Sequence, residues 1–562
     1  MKKIVECVPN FSEGKDRSII DQIVAAIESV DGSKVVDVDM GADTNRTVVT
    51  FFGTPESVAE SAFLAVRKSS ELIDMAVHKG AHPRFGATDV CPFIPVSGVT
   101  MKECVEISKK VGARIGKELG LPVYLYEESA SSKERRSLAF LRAGEYEGLR
   151  LRFREGRLKP DYGPAKLVPG FGAMAVGARE FLIAYNINLN TKDKKYASDI
   201  ALEIREKGRV KRTNSPTGFY RDGEIVFDKN GKKVEIPGKF QHCRAIGWYI
   251  EEYGQAQISI NLTNYHVTSI HAVFDEVCRL AEARGLRVTG SEIVGLAPKK
   301  AMVDAGIHYL KKQRKPTGFP EREVIELAVR SLGLRDLGKF DLDEKIVEYV
   351  LKDKSRLVDR AVSDFTDEVQ TDSVAPGGGS VAALGGAQGA ALVAMVSNLS
   401  TGKDYLKIYK DICRIGIDGE ALKAALLYNV DADTQAFNGV IEANKLPKNS
   451  KEEQKARDKA IQDAYKDAIN TPLDTAKKCL DTLKLADEIA DKGLAASISD
   501  VGVGALMAHA GMHGAMMNVK INLPNITDRK FNGKMLKECA KMAKDGDALL
   551  AKVMRKVGKK LQ

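Results

Sequence analysis

The sequence predicts a multidomain protein in which two α/β sandwich lobes are followed by an all-α helical bundle. Up to about residue 330, short β-branched runs alternate with amphipathic stretches, the pattern of strands and helices layered against one another. From about Leu342 that alternation stops, and Ala-, Leu-, Lys- and Asp-rich stretches of helical period run to the end. The length of 562 residues also exceeds one compact unit, at a soft norm of roughly 150 residues per domain. With 44% hydrophobic and 29% charged residues the chain can bury real cores, which excludes a disordered protein.

In chain order, residues 4–9, 35–39 and 46–53 read as strands, and 16–29 and 55–75 as amphipathic helices. The segment 162–172, dense in Gly and Pro, reads as the join between the lobes. Ligand clefts form at such joins, so it is also a candidate binding element. Residues 180–189, 256–262 and 287–290 read as strands of the second lobe. The expected boundaries are 1–180 and 181–330 for the lobes, 331–345 for a linker, and 346–562 for the bundle. Its helices are expected over 380–399, 404–444, 451–483, 495–518 and 534–561.

Eight cysteines lie far apart with no CxxC pair, which signals neither a zinc ribbon nor a disulfide scaffold and fits a reducing compartment. The N-terminus lacks a secretory apolar core, and the apolar run 381–397, rich in Gly and Ala with Gln388, suits a closely packed buried helix. The expectation is a cytoplasmic protein with no membrane segment. Net charge is +10, and the first 335 residues carry all but one unit of it. These basic residues are spread out, without blocks or interleaved aromatics, so a small anionic ligand fits better than nucleic acid.

His82 lies between Gly80 and Pro83, with Arg84 and Asp89 nearby. An imidazole in such a turn can act as a general base, although a single histidine in a Gly/Pro loop is more often a hydrogen-bonded structural residue. His78 is placed at the end of the preceding helix, where a cation complements the dipole. Asp37 and Asp39 share one face of a strand whose end leads into Gly41-Ala42-Asp43-Thr44-Asn45-Arg46. Strand ends meet ligands in α/β folds, and solvated turn carboxylates are the alternative.

In the second half, Gly377-Gly378-Gly379-Ser380 opens a helix, either as an anion-binding helix start or as a flexible link with a Ser cap. No Lys-Ser or Lys-Thr follows, so it is not a P-loop. Asp431 and Asp433, two apart on a helix, are rotated by roughly 200° and cannot enter one pocket together. Asp433 shares a stripe with Leu426, Val430, Ala436, Phe437 and Val440. A carboxylate on such a stripe is either an acid/base group or an ordinary hydrogen-bonded buried Asp, and it is the stronger candidate of the two. His509 and His513, one turn apart, have a metal-capable spacing. No third ligand is evident in sequence, so they read as packing or interface histidines and no metal is expected.

Several of these segments carry a family resemblance. Glu6-Cys7-Val8-Pro9-Asn10-Phe11-Ser12-Glu13-Gly14, Asp37-Val38-Asp39, Thr44-Asn45-Arg46-Thr47, Gly80-Ala81-His82-Pro83-Arg84 and residues 289–296 resemble glutamate formiminotransferases. Residues 375–383, Val430-Asp431-Ala432-Asp433 and Leu446-Pro447-Lys448-Asn449 resemble formiminotetrahydrofolate cyclodeaminases. Together they cover nearly the whole chain in the order of the bifunctional family. The resemblance implies transfer of the formimino group of N-formimino-L-glutamate to N5 of tetrahydrofolate. Cyclisation to 5,10-methenyltetrahydrofolate with release of ammonia would follow, a step of histidine degradation and one-carbon metabolism. It implies His82 and Asp433 as catalytic groups and the loop Gly163, Pro164, Ala165, Lys166, Leu167, Val168, Pro169, Gly170, Phe171 and Gly172 as folate-binding. Asp39, Asn45, Arg46 and Arg84 become candidate substrate contacts, and Gly377, Gly378, Gly379 and Ser380 a candidate cyclodeaminase pocket. Tetrahydrofolate, with a polyglutamate tail, is the implied co-substrate, and a homo-oligomer the implied assembly. The rival reading is that only one half is active, the other serving as a folate-binding or oligomerisation scaffold.

Overall fold

The computed structural model describes residues 3–42, 44–80, 82–156, 159–213, 215–217, 219–352, 356–373 and 375–562; Asp43 and Ala81 of the motifs above lie outside them. Two compact units result, one formed by residues up to 305 with 328–351, the other by 306–327 with 352–562.

The first unit opens with β1 (Ile4–Cys7), β2 (Asn10–Phe11), α1 (Arg17–Glu28), β3 (Ser33–Gly41), β4 (Arg46–Gly53) and α2 (Pro55–Leu72). There follow β5 (Thr88–Ser97), α3 (Met101–Arg114), β6 (Val123–Glu127), α4 (Leu138–Leu141), α5 (Glu145–Glu155) and β7 (Met174–Ala178). Local chemistry sets the helix starts: Asp16 caps α1 by accepting from the Ser18 N–H, and Thr100 and Glu103 form a reciprocal capping box on α3. β3 and β4 form a hairpin on which β1 and β2 pair antiparallel, β5 follows, and β7 runs parallel between β5 and β6. Alternation along β1 buries Val5 and Cys7 with Ile20, Ile23, Val58 and Phe63 of α1 and α2. The opposite face at the β6 end packs Tyr124, Tyr126 and Ala175 against Leu141 and Leu149.

The segment 163–172 is not the join between lobes, because β7 follows it and completes the first sheet; the short stretch 179–182 makes that crossing. Its Gly/Pro density serves a turn instead. Gly163 and Gly172 take φ +77° and +80°, and a Cβ at Gly172 would lie 2.3 Å from the Phe85 carbonyl oxygen.

The second sheet has the antiparallel order β11 (Cys243–Ile250), β12 (Gln255–Leu262), β8 (Ile183–Leu189), β13 (Val288–Val294). α6 (Lys194–Ile204) and α7 (Ile270–Glu282) accompany it, and β9 (Arg209–Val210) pairs with β10 (Glu235–Ile236) as a short ribbon. α8 (Lys299–Lys312) and α9 (Glu321–Leu332) follow, each divided between the two units at residues 305/306 and 327/328. Residues 331–345, expected as a linker, fold onto this lobe: Leu334, Phe340 and Leu342 are buried, and the Ser291 N–H donates to the Gly333 carbonyl. α10 (Leu342–Lys345) and α11 (Val347–Val350) end the unit.

The second unit contains α12 (Val362–Gln370), α13 (Gly378–Leu399), α14 (Tyr409–Lys445), α15 (Lys451–Lys492), α16 (Ile498–Asn522) and α17 (Arg529–Lys560). α13 is long and apolar enough to cross a membrane, but 61% of its most apolar window is buried inside the bundle. Its small residues account for this placement. A Cβ at Gly389 would lie 2.6 Å from the Gly504 carbonyl oxygen on α16, so glycine lets the two backbones touch.

Candidate active sites

In the first unit the chain between α2 and β5 carries His82. It is held on both sides: Asn45, at φ +46°, accepts from the Gly14 N–H and donates to the Lys79 carbonyl, at 2.9 Å each. His78 Nε2–H donates to the Asn45 carbonyl while its Nδ1 accepts from Arg84. His78 is therefore a loop tie, not a helix-end cation, because α2 stops at Leu72. The loop 163–172 runs alongside the residues that follow His82, with the Ala87 N–H donating to the Phe171 carbonyl and the Ala173 N–H to the Phe85 carbonyl. Phe171 is buried in the core, and Lys166 is exposed.

His82 Nδ1 lies 2.7 Å from the Pro83 carbonyl oxygen. Burial, followed by the Arg46 and Arg142 guanidiniums, pushes its pKa down to about 3, so the imidazole is neutral at physiological pH. These arginines converge on Asp89, which is fully buried. Arg46 Nη1 reaches Asp89 Oδ2 at 2.6 Å while its Nε and Nη2 donate to Asn10 Oδ1, and Arg142 binds the same Asp89 oxygen. Burial opposes the Asp89 carboxylate, but Arg142 and Arg46 outweigh it and hold its pKa below the ordinary value. The buried Nε–H of Arg142 has no hydrogen-bond partner among the described residues.

Arg84 is placed differently from the substrate contact expected of it. Its guanidinium is buried and its donors go to Glu145, Glu147 and His78, a clamp between the His82 loop and α5. Burial and then Asp37 raise the pKa of Asp39, Lys345 works the other way, and Glu292 and Glu252 add to the rise. Glu292 accepts from Asn186, Gln257 and Tyr253. Sequence reading missed Arg142 as a site residue because a lone arginine in a charged stretch carries no local signal; its meaning arises when α4 brings it to Asp89.

In the second unit Asp433 of α14 meets the start of α13. Burial raises its pKa, and the Ser380 backbone N–H, donating to it, works the other way. A Cβ at Gly379 would lie 2.2 Å from Asp433 Oδ1, so glycine is what lets the carboxylate approach the helix start. Ser380 Oγ donates to the Val430 carbonyl at 2.8 Å and lies 3.3 Å from Thr434 Oγ1. Asn518 of α16 borders Gly378, and sequence reading missed it for want of any local signal. Asp431 points elsewhere, accepting from the Leu357 N–H at 2.7 Å. The two aspartates thus diverge as helical geometry requires. The stripe around Asp433 is less complete than expected: Val430 and Val440 are buried, but Phe437 is 37% exposed.

The histidine beside a buried Arg–Asp–Arg group in one unit, and the buried carboxyl at a helix start in the other, are the two candidate acid–base centres. Comparisons with known proteins agree with that division. Residues 4–179 match the formiminotransferase domain N-terminal subdomain, 184–352 the formiminotransferase domain, and 361–541 the formiminotransferase-cyclodeaminase model. Formimidoyltransferase-cyclodeaminase of Gallus gallus is 44% identical over 563 residues, covering 99% of each chain. That of Mus musculus is 43% identical, covering 95% of each. Glutamate formimidoyltransferase of Streptococcus pyogenes is 42% identical over 311 residues, 55% of this chain and 94% of its own. The chain belongs to the formiminotransferase-cyclodeaminase family and is an enzyme of two activities.

Proposed function

We propose that the first unit transfers the formimino group from N-formimino-L-glutamate to N5 of tetrahydrofolate, and that the second cyclises the adduct to 5,10-methenyltetrahydrofolate with release of ammonia. The observation that carries this reading is the placement of one acid–base group in each unit: His82 beside Arg46, Arg142 and the buried Asp89, and Asp433 against the glycine-rich start of α13.

In the transfer, N5 attacks the formimino carbon and His82 accepts the N5 proton. The tetrahedral adduct then collapses, the bond to the glutamate nitrogen breaks, and His82 returns the proton to the departing amine. In the cyclisation, N10 attacks the same carbon, a proton passes from N10 through Asp433 to the amino group, and ammonia leaves as the methenyl bridge forms. The basic surface of the first unit suits a polyglutamate tail. The loop 163–172, beside the residues following His82, is the proposed folate contact, and a cytoplasmic homo-oligomer is the proposed form of the enzyme.

Separate His82→Ala and Asp433→Ala variants test the assignment, with methenyltetrahydrofolate followed by its absorbance and ammonia by a coupled assay. His82→Ala is expected to lose transfer and keep cyclisation of supplied 5-formiminotetrahydrofolate. Asp433→Ala is expected to accumulate that intermediate. Either variant retaining both activities overturns the role of that residue.

A further inference from the structure

His509 and His513 of α16 gain from the tertiary structure the partner that their sequence spacing lacks. Asp547 of α17 lies between them, its Oδ1 at 2.7 Å from His509 Nε2 and 3.0 Å from His513 Nε2. The three ligand atoms lie within 4.8 Å of one another, and the imidazole centroids are 4.4 Å apart. The neighbouring Gly546 explains the close approach of the helices: a Cβ there would sit 2.3 Å from the Met512 methyl carbon, between the two histidines on α16. Two imidazoles one turn apart on a rigid helix, with a carboxylate from a second helix, are the donor set and spacing that suit a borderline transition ion.

We propose that His509, His513 and Asp547 form a site for a divalent transition ion of the zinc class, tying α17 to α16. Each imidazole coordinates through the Nε2 lone pair, carrying its own proton on Nδ1. The ion replaces the hydrogen bonds to Asp547, and three protein ligands leave a tetrahedral position for water. Because folding brings α17 against α16, binding favours the folded bundle.

The test uses the full-length chain without a histidine tag, stripped of metal by chelator and titrated with Co2+ and then Zn2+. The expected result is one Co2+ per chain with visible d–d absorption, displaced by Zn2+, and a rise in the unfolding temperature with Zn2+. His513→Ala and Asp547→Ala, whose side chains are 34% and 60% exposed, should lose both the absorption and the rise. His513→Ala bound and stabilised like the parent, or a parent that binds no stoichiometric Co2+, overturns the site. Circular dichroism of the variants verifies that lost binding is not lost fold.

Discussion

Three adjacent glycines at the start of α13 make a graded test of the second site. A Cβ at Gly379 would lie 2.2, 2.3 and 2.4 Å from the three carboxyl atoms of Asp433, whereas ordinary carbon contacts begin at about 3.5 Å. Gly379→Ala therefore displaces the carboxylate by about 1 Å, and misplacing a reacting group by that distance costs on the order of 10²-fold in rate. The fold tolerates the change, because what must give is the end of one side chain and alanine is the better helix former. At Gly378 the nearest described atom is Asn518 Nδ2 at 3.5 Å, and at Gly377 nothing among the described residues lies within 4 Å, so alanine at either should leave the rate within a few-fold of the parent. Ammonia release from supplied 5-formiminotetrahydrofolate is the assay, with formimino transfer as internal control. Parental ammonia release by Gly379→Ala, or equal losses at all three positions, would refute the placement of Asp433 against this helix start.

Two further outcomes concern the first site. His82 has a folded pKa of about 3 against about 6.5 in the unfolded chain. Between those values the unfolded state binds more protons, so His82 makes stability fall as pH drops from about 6.5 toward 3, with no penalty above it. The His82 ring resonances should stay in the neutral position down to pH 5, and a midpoint near 6.5 would contradict the environment described. Asp89→Ala strands Arg46 and Arg142 without their buried counter-ion, at a cost of about 3–5 kcal/mol. Denaturant unfolding of the first unit should move by that amount, and an unchanged transition would show that the ion group contributes nothing.

Much of this protein was legible in the sequence because periodicity is local. The strand over 46–53 and the switch to helical language near Leu342 need only side-chain alternation and spacing to be read. The divergence of Asp431 and Asp433 followed from the helical repeat alone, and motif matching pointed to His82. Tertiary structure decided what depends on distant partners. Only the insertion of β7 between β5 and β6 shows that 163–172 is a turn within the first lobe, since a Gly/Pro-rich segment looks the same whether it joins lobes or folds back. Arg84 and Arg142 are indistinguishable as residues, yet packing commits one to Glu145 and Glu147 and the other to Asp89 beside His82. The reason is physical: charge and hydrogen-bonding capacity belong to the residue, but whether they are spent on a neighbour or left for a ligand is set by contacts between segments far apart in the chain.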